Sequence, residues 1–422
     1  MAKIAVIGVG YVGLTTAVGL ANLGHEVVGI DVDAEKINKL KNGTSPIFEK
    51  DLEKFLKIEI DKKSIKFSTN YEDTKTCDSI FLCLPTPQLS DGSADISFVI
   101  DAVTKLKDYL KPNSNLIIKS TVPVNTAKKI IDLIQDNSIS VVSNPEFLRE
   151  GNALADFFKP DRIIIGAQNQ KAKEEVAKLY SSIDSEIIFT DNISAEIIKY
   201  ASNSYLAIRL SFVNELAAYA ENIGADATQI LKAMGKDKRI GQHFLKPGPG
   251  WGGMCFPKDV NEFKSSAENM DQPIELLNAA LLSNAKAHAR IVNKAKKLLG
   301  NNLDNKNITV WGLAFKANTD DTRFSPAVSV VQLLIKEGCN LKAFDPVVKK
   351  VEELSMKIEN SIEASVENSD LLIVLTEWDE FSKIDPKSIS TKFRQKNIID
   401  SRNILDKKIW QDAGFNFLGN GS

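Results

Sequence analysis

Six residues near the start do most to limit the folds open to this chain. Gly8-Val9-Gly10-Tyr11-Val12-Gly13 follows directly on the compact apolar run Lys3–Ile7 and leads into a helical stretch over 11–23. In that setting each glycine has its own task. Gly8 permits a tight turn, Gly10 lets the backbone approach a pyrophosphate, and Gly13 lets the helix pack on the strand. The phosphates then lie at the helix N-terminus, where unpaired N–H groups and the helix dipole favour an anion. Asp31 closes the next strand-like run, Glu26–Ile30, where a carboxylate can accept the ribose hydroxyls. An acid there repels a 2′-phosphate, so the expected cofactor is NAD rather than NADP. Lys36, one turn into the following helix, either reaches the same ribose or is solvated.

Further apolar runs at 79–84, 115–119 and 139–142 alternate with helical patterns at 96–110 and 126–134. Continuous apolar strands separated by helices predict a parallel sheet covered on both faces. Runs at 162–166 and 186–189 are expected to extend it. From Ser194 the pattern changes. Ile197, Ile198, Ala201, Tyr205, Ile208, Phe212, Leu216 and Tyr219 recur at helical spacing, which predicts one long helix over 195–223 stopped by Gly224. A helix apolar on more than one side links domains and pairs with its twin in a dimer. A second helix is expected over 274–299, after a glycine- and proline-rich loop. Past the polar linker 301–305 the alternation restarts with a strand, a glycine, a helix over 326–336 and a strand ending in Asp345, echoing the opening unit. The expected fold is α/β, with two Rossmann-like parallel-sheet domains joined by a long central helix. The expected domains are 1–193, 194–300 and 301–422.

Composition excludes several classes. Lys and Arg number 53 against 55 Asp and Glu, a formal charge of −2, without the basic excess that a phosphate backbone demands. Nucleic acid is therefore not an expected partner. Four cysteines cannot staple 422 residues and fit a reducing compartment, and none of the three histidines stands at zinc-ligand spacing from a cysteine. Residues 4–24 carry no charge but are broken by glycines and lack a uniform apolar core, so neither a membrane span nor a signal segment is expected. A cytoplasmic protein is expected.

Four further segments carry chemistry. Pro85-Thr86-Pro87 ends a strand at the edge where such sheets bind ligands; Thr86 either touches the cofactor or caps a turn. In residues 248–259 one cysteine, Cys255, lies among four glycines beside Lys258 and Asp259. A nearby cation favours the thiolate, the nucleophilic form. Cys77, Cys83 and Cys339 read instead as small buried hydrophobes. In Asn144-Pro145-Glu146-Phe147-Leu148-Arg149-Glu150-Gly151, Glu146 and Glu150 follow a strand, where paired acids suit proton transfer or simply form a solvated loop. Lys199 and Asn203 share a helix face, and Lys199 is either snorkelling or partnered in a site. In the second Rossmann-like unit, Lys316 and Arg323 can neutralise a diphosphate.

These segments, in this order and over nearly the whole chain, resemble the nucleotide-sugar 6-dehydrogenases of the UDP-glucose/GDP-mannose dehydrogenase family. The resemblance rests most on residues 252–259, 144–151 and 312–323. It implies an N-terminal NAD domain, a central helix that forms a homodimer, and a C-terminal nucleotide domain. It implies oxidation of a sugar C6 hydroxyl to a carboxylate with two NAD+ per sugar, through a Cys255 thiohemiacetal and then a thioester that water hydrolyses. Lys199 and Asn203 would stabilise the oxyanion at C6, and Asp259 would position or activate water. Glu146 would act as base for thioester hydrolysis, with Thr121 holding the water. The resemblance places Tyr11, Val12, Asp31, Lys36, Thr86, Thr121, Glu150, Lys258 and Arg323 at the cofactor with the three glycines. The sugar nucleotide would meet the 146–150 segment (Glu146, Phe147, Leu148, Arg149, Glu150), Lys199 and Asn203. It would also meet Phe244, Leu245, Lys246, Pro247 and Gly248, then Gly252 and Lys316, with Arg239 and Arg402 completing the set. Trp251 and Met254 depart from the family's usual residues without touching the glycines or the cysteine.

Within that resemblance the Cys-x-Pro-Lys-Asp form points to the UDP-glucose or GDP-mannose branches; UDP-glucose is the expected sugar, with GDP-mannose as the alternative. A two-electron dehydrogenase of the 6-phosphogluconate or 3-hydroxy acid type would reduce one NAD+ per substrate and not need Cys255. A non-catalytic NAD-binding regulatory protein would have no reason to hold Lys199, Asn203, Cys255 and Asp259 together.

Overall fold

The structure, a computed structural model, describes residues 1–421. They form two compact units: Met1–Ser202 with Asn261–Gln272, and Asn203–Val260 with the chain from Pro273 onward. The strands of the first unit are β1 (Lys3–Ile7), β2 (Glu26–Ile30), β3 (Ile65–Ser68), β4 (Ser79–Leu82), β5 (Asn115–Ile118), β6 (Ser140–Ser143), β7 (Ile163–Gly166) and β8 (Ile187–Thr190). They lie in the order β3-β2-β1-β4-β5-β6-β7-β8. Alternate residues of β1 enter different cores: Ile4 and Val6 on one face, Ala5 and Ile7 on the other. A strand buried on both sides cannot show the alternation of a half-exposed one, which is why these strands read as unbroken apolar runs. Each fully buried aliphatic side chain contributes about 1.5–3 kcal/mol of transfer free energy.

The sheet is not wholly parallel. β6 and β7 pair antiparallel at Ser143 and Gly166, while β7 and β8 run parallel to each other. Around the sheet lie α1 (Tyr11–Asn22), α2 (Ala34–Lys41), α3 (Leu52–Asp61), α4 (Ser97–Leu106), α5 (Thr126–Ile134), α6 (Ala153–Phe158) and α7 (Gln170–Lys178). The sequence pattern passed over β3, α3, α6 and α7; β3 and α6 are short, and α3 and α7 are rich in lysine and acids.

The long helix is α8 (Asn192–Ile223), begun a turn before its expected start, and α9 (Ala227–Met234) follows it. The glycine-rich segment then turns helical earlier than the sequence suggested. α10 (Cys255–Glu268) starts at the cysteine itself, with Pro257 in its first turn, where a missing N–H costs no helical hydrogen bond. α11 (Glu275–Leu299) precedes the second sheet.

That sheet comprises β9 (Asn307–Trp311), β10 (Asn340–Phe344), β11 (Lys357–Ile358), β12 (Leu371–Val374), β13 (Asn397–Asp400) and β14 (Asn416–Leu418), with α12 (Pro326–Lys336) after β9. Its order is β11-β10-β9-β12-β13-β14, every pair parallel. Counted within its own unit, this is the 3-2-1-4-5-6 order of the doubly wound nucleotide-binding fold, as is the order of the first six strands of the first sheet. The linker 301–305 is not a free tether, because Leu303 is buried in the second core. Among the described residues no helix is long and apolar enough to cross a membrane.

Trp311 is central to the second core. Its ring stacks on Phe381 at 5.2 Å and meets Trp410 edge-on at 6.2 Å, and its Nε1 donates to Ser365 Oγ at 3.0 Å. Trp311→Ala should cost about 3–5 kcal/mol, read as a lowered unfolding midpoint in denaturant. Below that midpoint the variant should keep wild-type affinity for NAD+, since the glycine turn lies in the other unit.

Candidate active site

In the first unit the strand order reverses between β1 and β4, the switch point where such sheets bind ligands. Gly8 turns there with φ +83°, and a Cβ on it would stand 2.7 Å from the Cys83 carbonyl oxygen just past β4. A Cβ on Gly13 would stand 1.7 Å from the Gly8 carbonyl oxygen. The fold itself therefore demands both. Gly10 is different: it has φ −75°, and a Cβ there would meet nothing within 4 Å. The space in front of Gly10, at the start of α1, fits a phosphate brought close to backbone.

Asp31 closes β2 beside this turn. Its Oδ2 accepts from Val9 N at 3.1 Å and from Lys36 Nζ at 2.9 Å. Lys36 is therefore held at the carboxylate rather than left in solvent. Thr86 Oγ1 donates to the Thr121 carbonyl at 2.8 Å, tying the loops that follow β4 and β5. Tyr11 and Val12 open α1.

Glu146, three residues past β6, makes a buried ion pair with Lys199 of α8 at 2.8 Å, and its other oxygen accepts from Leu148 N at 2.6 Å. Burial alone pushes its carboxyl pKa up, but Lys199, the Leu148 amide and Lys119 outweigh that and hold it below the ordinary range. Glu146 is thus ionised. The Phe147 ring carries the Arg162 guanidinium at 3.9 Å and Lys199 at 5.5 Å. Thr121 and Lys199, with Glu196, line a recess of about 10 Å³, near the least volume that holds one water. Arg149 turns outward, 64% exposed, and is held by both oxygens of Asp156. Glu150 is half-buried.

In the second unit Asn203 Nδ2 donates to Asp259 Oδ2 at 2.6 Å, and Lys258 Nζ stands 2.9 Å from Asp259 Oδ1. Lys199 and Asn203 lie one turn apart on α8, and Cys255 and Asp259 one turn apart on α10. As the first residue of α10, Cys255 sits where the helix dipole favours negative charge. The other thiols do not compete. Burial pushes Cys77 up to about 11 and Cys83 to about 12. Cys339 is half-buried rather than buried as expected, yet burial still raises it to about 11.

The loop before α10 is laced down. Gly248 N donates to Asn214 Oδ1 at 2.8 Å, and Trp251 exchanges two backbone bonds with the Asn284 amide at 2.7 and 2.8 Å. A Cβ on Gly252 would stand 2.0 Å from the Phe324 carbonyl oxygen, so that glycine is required by chain crossing. Arg402 joins Gly248 to the loop after β9: a Cβ on Gly248 would lie 3.1 Å from its guanidinium, which donates to the Phe315 carbonyl at 3.1 Å. Lys316 Nζ sits 5.6 Å from the Phe315 ring centre. Gly248, Lys316 and Arg402 therefore gather in one place. Phe244 and Lys246 are exposed, Pro247 is buried, and the Leu245 side chain fills a small core with Val213 and Leu231. Two expected arginines stand outward: Arg239 is 89% exposed and paired with Asp237, and Arg323 is paired with Asp321.

Several polar residues at these places carried no motif in the sequence. Lys119, charged within an apolar run, is buried against Asn144 Oδ1 at 3.0 Å, and burial lowers it to about 8. Glu196, one turn before Lys199, accepts from Asn125 N and Ala127 N at 2.7 and 2.8 Å, and burial raises it to about 7. Glu49 bonds Tyr11, Gly151 and Ala153.

The three glycines of the turn can be separated by experiment. Gly10→Ala should unfold within about 0.5 kcal/mol of wild type and lose more than about tenfold in NAD+ affinity. Gly13→Ala should cost about 1–3 kcal/mol or more through overpacking. Thermal unfolding with NAD+ titration reads both.

Comparison with known proteins gives the family. Residues 2–184 match the NAD binding domain of the UDP-glucose/GDP-mannose dehydrogenase family, 193–286 its central domain, and 309–407 its UDP binding domain. The chain is 39% identical to a UDP-glucose 6-dehydrogenase of Rickettsia bellii, covering 100% of this chain and 99% of that one. It is 40% identical to one of Bacillus subtilis, covering 95% and 93%. A UDP-glucose dehydrogenase structure from Pyrobaculum islandicum superposes with a TM-score of 0.90 at 34% identity, over 97% of this chain and 95% of that one. The chain is an NAD-dependent oxidoreductase belonging to the UDP-glucose/GDP-mannose dehydrogenase family.

Proposed function

We propose that this protein oxidises UDP-glucose to UDP-glucuronate in four electrons, using two NAD+ and a covalent intermediate on Cys255. The observation that carries the reading is the pairing of Lys199 with Glu146 and of Asn203 with Asp259. With it goes Cys255, one helical turn from Asp259 at the start of α10. NAD+ supplies the hydride acceptor. The Gly8–Gly13 turn and Asp31 hold it, with Tyr11, Val12, Lys36, Thr86, Thr121, Glu150, Lys258 and Arg323 as the other cofactor-side residues. Hydride leaves C6 while the hydroxyl proton passes to water held by Asp259, giving the aldehyde. The Cys255 thiolate adds to the aldehyde carbon, and Lys199 and Asn203 stabilise the resulting oxyanion. Loss of a second hydride from that carbon leaves a thioester. Glu146 takes a proton from a water held by Thr121, the hydroxide adds to the thioester, and the Cys255 thiolate departs to leave the carboxylate.

Lys199 has two tasks in this scheme, and they are linked. Its charge holds Glu146 ionised, and drawing that charge toward an oxyanion raises the basicity of Glu146 when a base is needed. The sugar nucleotide lies against the 146–150 segment and residues 244–248, Gly252, Lys316 and Arg402, with Arg239 offered to a neighbouring subunit. UDP-glucose is favoured over GDP-mannose by the similarity to enzymes named for it. We assign the domains as 1–193, 194–300 and 301–422. The homodimer forms through α8, where Tyr205, Phe212, Tyr219 and Ile223 are all more than half exposed at helical spacing. Four cysteines in 422 residues suit the reducing cytoplasm.

The test is the yield of NADH per mole of limiting sugar nucleotide. UDP-glucose should give about two, and Cys255→Ala should abolish that yield. The same yield from GDP-mannose alone would correct the sugar. A yield near one, or turnover indifferent to Cys255, would sink the covalent route in favour of a two-electron dehydrogenase. NAD+ binding without turnover of any sugar nucleotide would point to a regulatory protein.

A further inference from the structure

Glu49 lies in the loop between α2 and α3, far in sequence from every residue it bonds. Its Oε2 accepts from the Tyr11 hydroxyl and from Gly151 N at 2.8 Å, and its Oε1 accepts from Ala153 N at 3.0 Å. Gly151 N is also 2.9 Å from the Tyr11 oxygen. One half-buried carboxylate thus gathers three donors from two segments. The first is the start of α1, where Tyr11 directly follows Gly10 and the open space in front of it. The second is the 146–153 stretch, which carries Glu146 and Glu150 and enters α6 at Ala153.

The chemistry of the tie is directional. Burial and the neighbouring Glu49 drive the Tyr11 phenol far above its ordinary pKa, so it stays a donor wherever the enzyme works. Carboxylate acceptors make stronger hydrogen bonds than neutral ones. Of the other polar contacts of the second stretch, Leu148 N to Glu146 and Arg149 to Asp156 are local to it, while Glu146 is also bonded to Lys199 of α8. Apolar packing of α6 on α1 does fix the spacing of the two helices, since a Cβ on Gly19 would lie 2.3 Å from the Phe157 ring. The Glu146–Lys199 pair ties the front of the loop before α6 to α8, and the Glu49 bonds tie its far end to the start of α1.

We propose that Glu49 is a positioning residue that holds the nucleotide turn and the 146–151 acids in one geometry, so that NAD affinity and turnover depend on it although it takes no part in the chemistry. This rests on the reading above, in which the turn binds NAD+ and Glu146 is the hydrolytic base.

The test uses the full chain with Glu49→Ala, the isosteric Glu49→Gln, Tyr11→Phe, and Glu49→Ala with Tyr11→Phe. NAD+ dissociation constants come from titration, and kcat and KM from UDP-glucose oxidation per folded molecule. Glu49→Ala should weaken NAD+ binding about tenfold and lower kcat by about the same factor, with Glu49→Gln and Tyr11→Phe in between. The double variant should be no worse than Glu49→Ala, because the two side chains act as one unit. Unchanged NAD+ affinity and unchanged kcat per folded molecule, with only a lower melting temperature, would reduce Glu49 to a structural role and overturn the proposal. Additive effects in the double variant would overturn it too. A wild-type enzyme that binds NAD+ but turns over no sugar nucleotide would instead bring down the functional reading, and this proposal with it.

Discussion

A lysine and a glutamate taken out of water together set the terms for the rest of the first unit. Burying either charge alone costs several kcal/mol, so Lys199 and Glu146 are tolerable only as a bonded pair with their remaining valences met. The Leu148 amide meets one of those needs, and the Phe147 ring beneath both Lys199 and Arg162 meets another. Such a pair is weak grounds for stability but strong grounds for geometry: neither side chain can leave without stranding the other. It pins the strand-end segment to α8 at one point. Within the second unit Asn203 is bonded by Asp259, which lies one turn of α10 from Cys255.

The two sheets share an order but not a use for their matching acids. In each, the second strand is followed by an aspartate that accepts from the turn after the first strand: Asp31 from Val9 N, Asp345 from Leu313 N and Ala314 N. Asp345, however, is fully buried and also takes Trp378 Nε1 and the amides of Val347 and Val348. It is consumed by its own loop. Asp31 keeps partial exposure and is paired with Lys36. The same pattern of strand, glycine, helix and strand-end acid thus yields a partly exposed carboxylate once and a fully buried, structural one once.

That contrast marks where the sequence was legible. Buried parallel strands announce themselves because both faces are apolar, and the turn Gly8–Gly13 because backbone packing forbids side chains at two of its positions. The presence of two sheets and of the long helix followed. Motif chemistry singled out Cys255, Asp259, Lys199, Asn203 and Glu146 as candidates. What it could not find were residues whose work is to bond distant backbone: Glu49, Glu196 and Asn284 sit in ordinary polar surroundings in the sequence, and their partners are tens of residues away. Nor does a glycine-rich run declare where it turns helical, since Pro257 forbids a helix interior but not a first turn. The polarity of β7 was likewise hidden, because an apolar run reads alike in either direction.

That last point bears on how the long helix reaches its task. In an all-parallel sheet, a helix leaving the last strand heads back toward the amino ends of its neighbours, away from the crevice. Here β7 and β8 run opposite to β6, so α8 departs in the same sense as β1 to β6. Its first residue, Asn192, bonds the Val141 carbonyl and Ser143 Oγ within β6, and two turns later Lys199 meets Glu146 beyond that strand's end. One reversal of strand direction converts a connecting segment into a delivery arm, and a sheet without it would present this helix's lysine to the wrong edge.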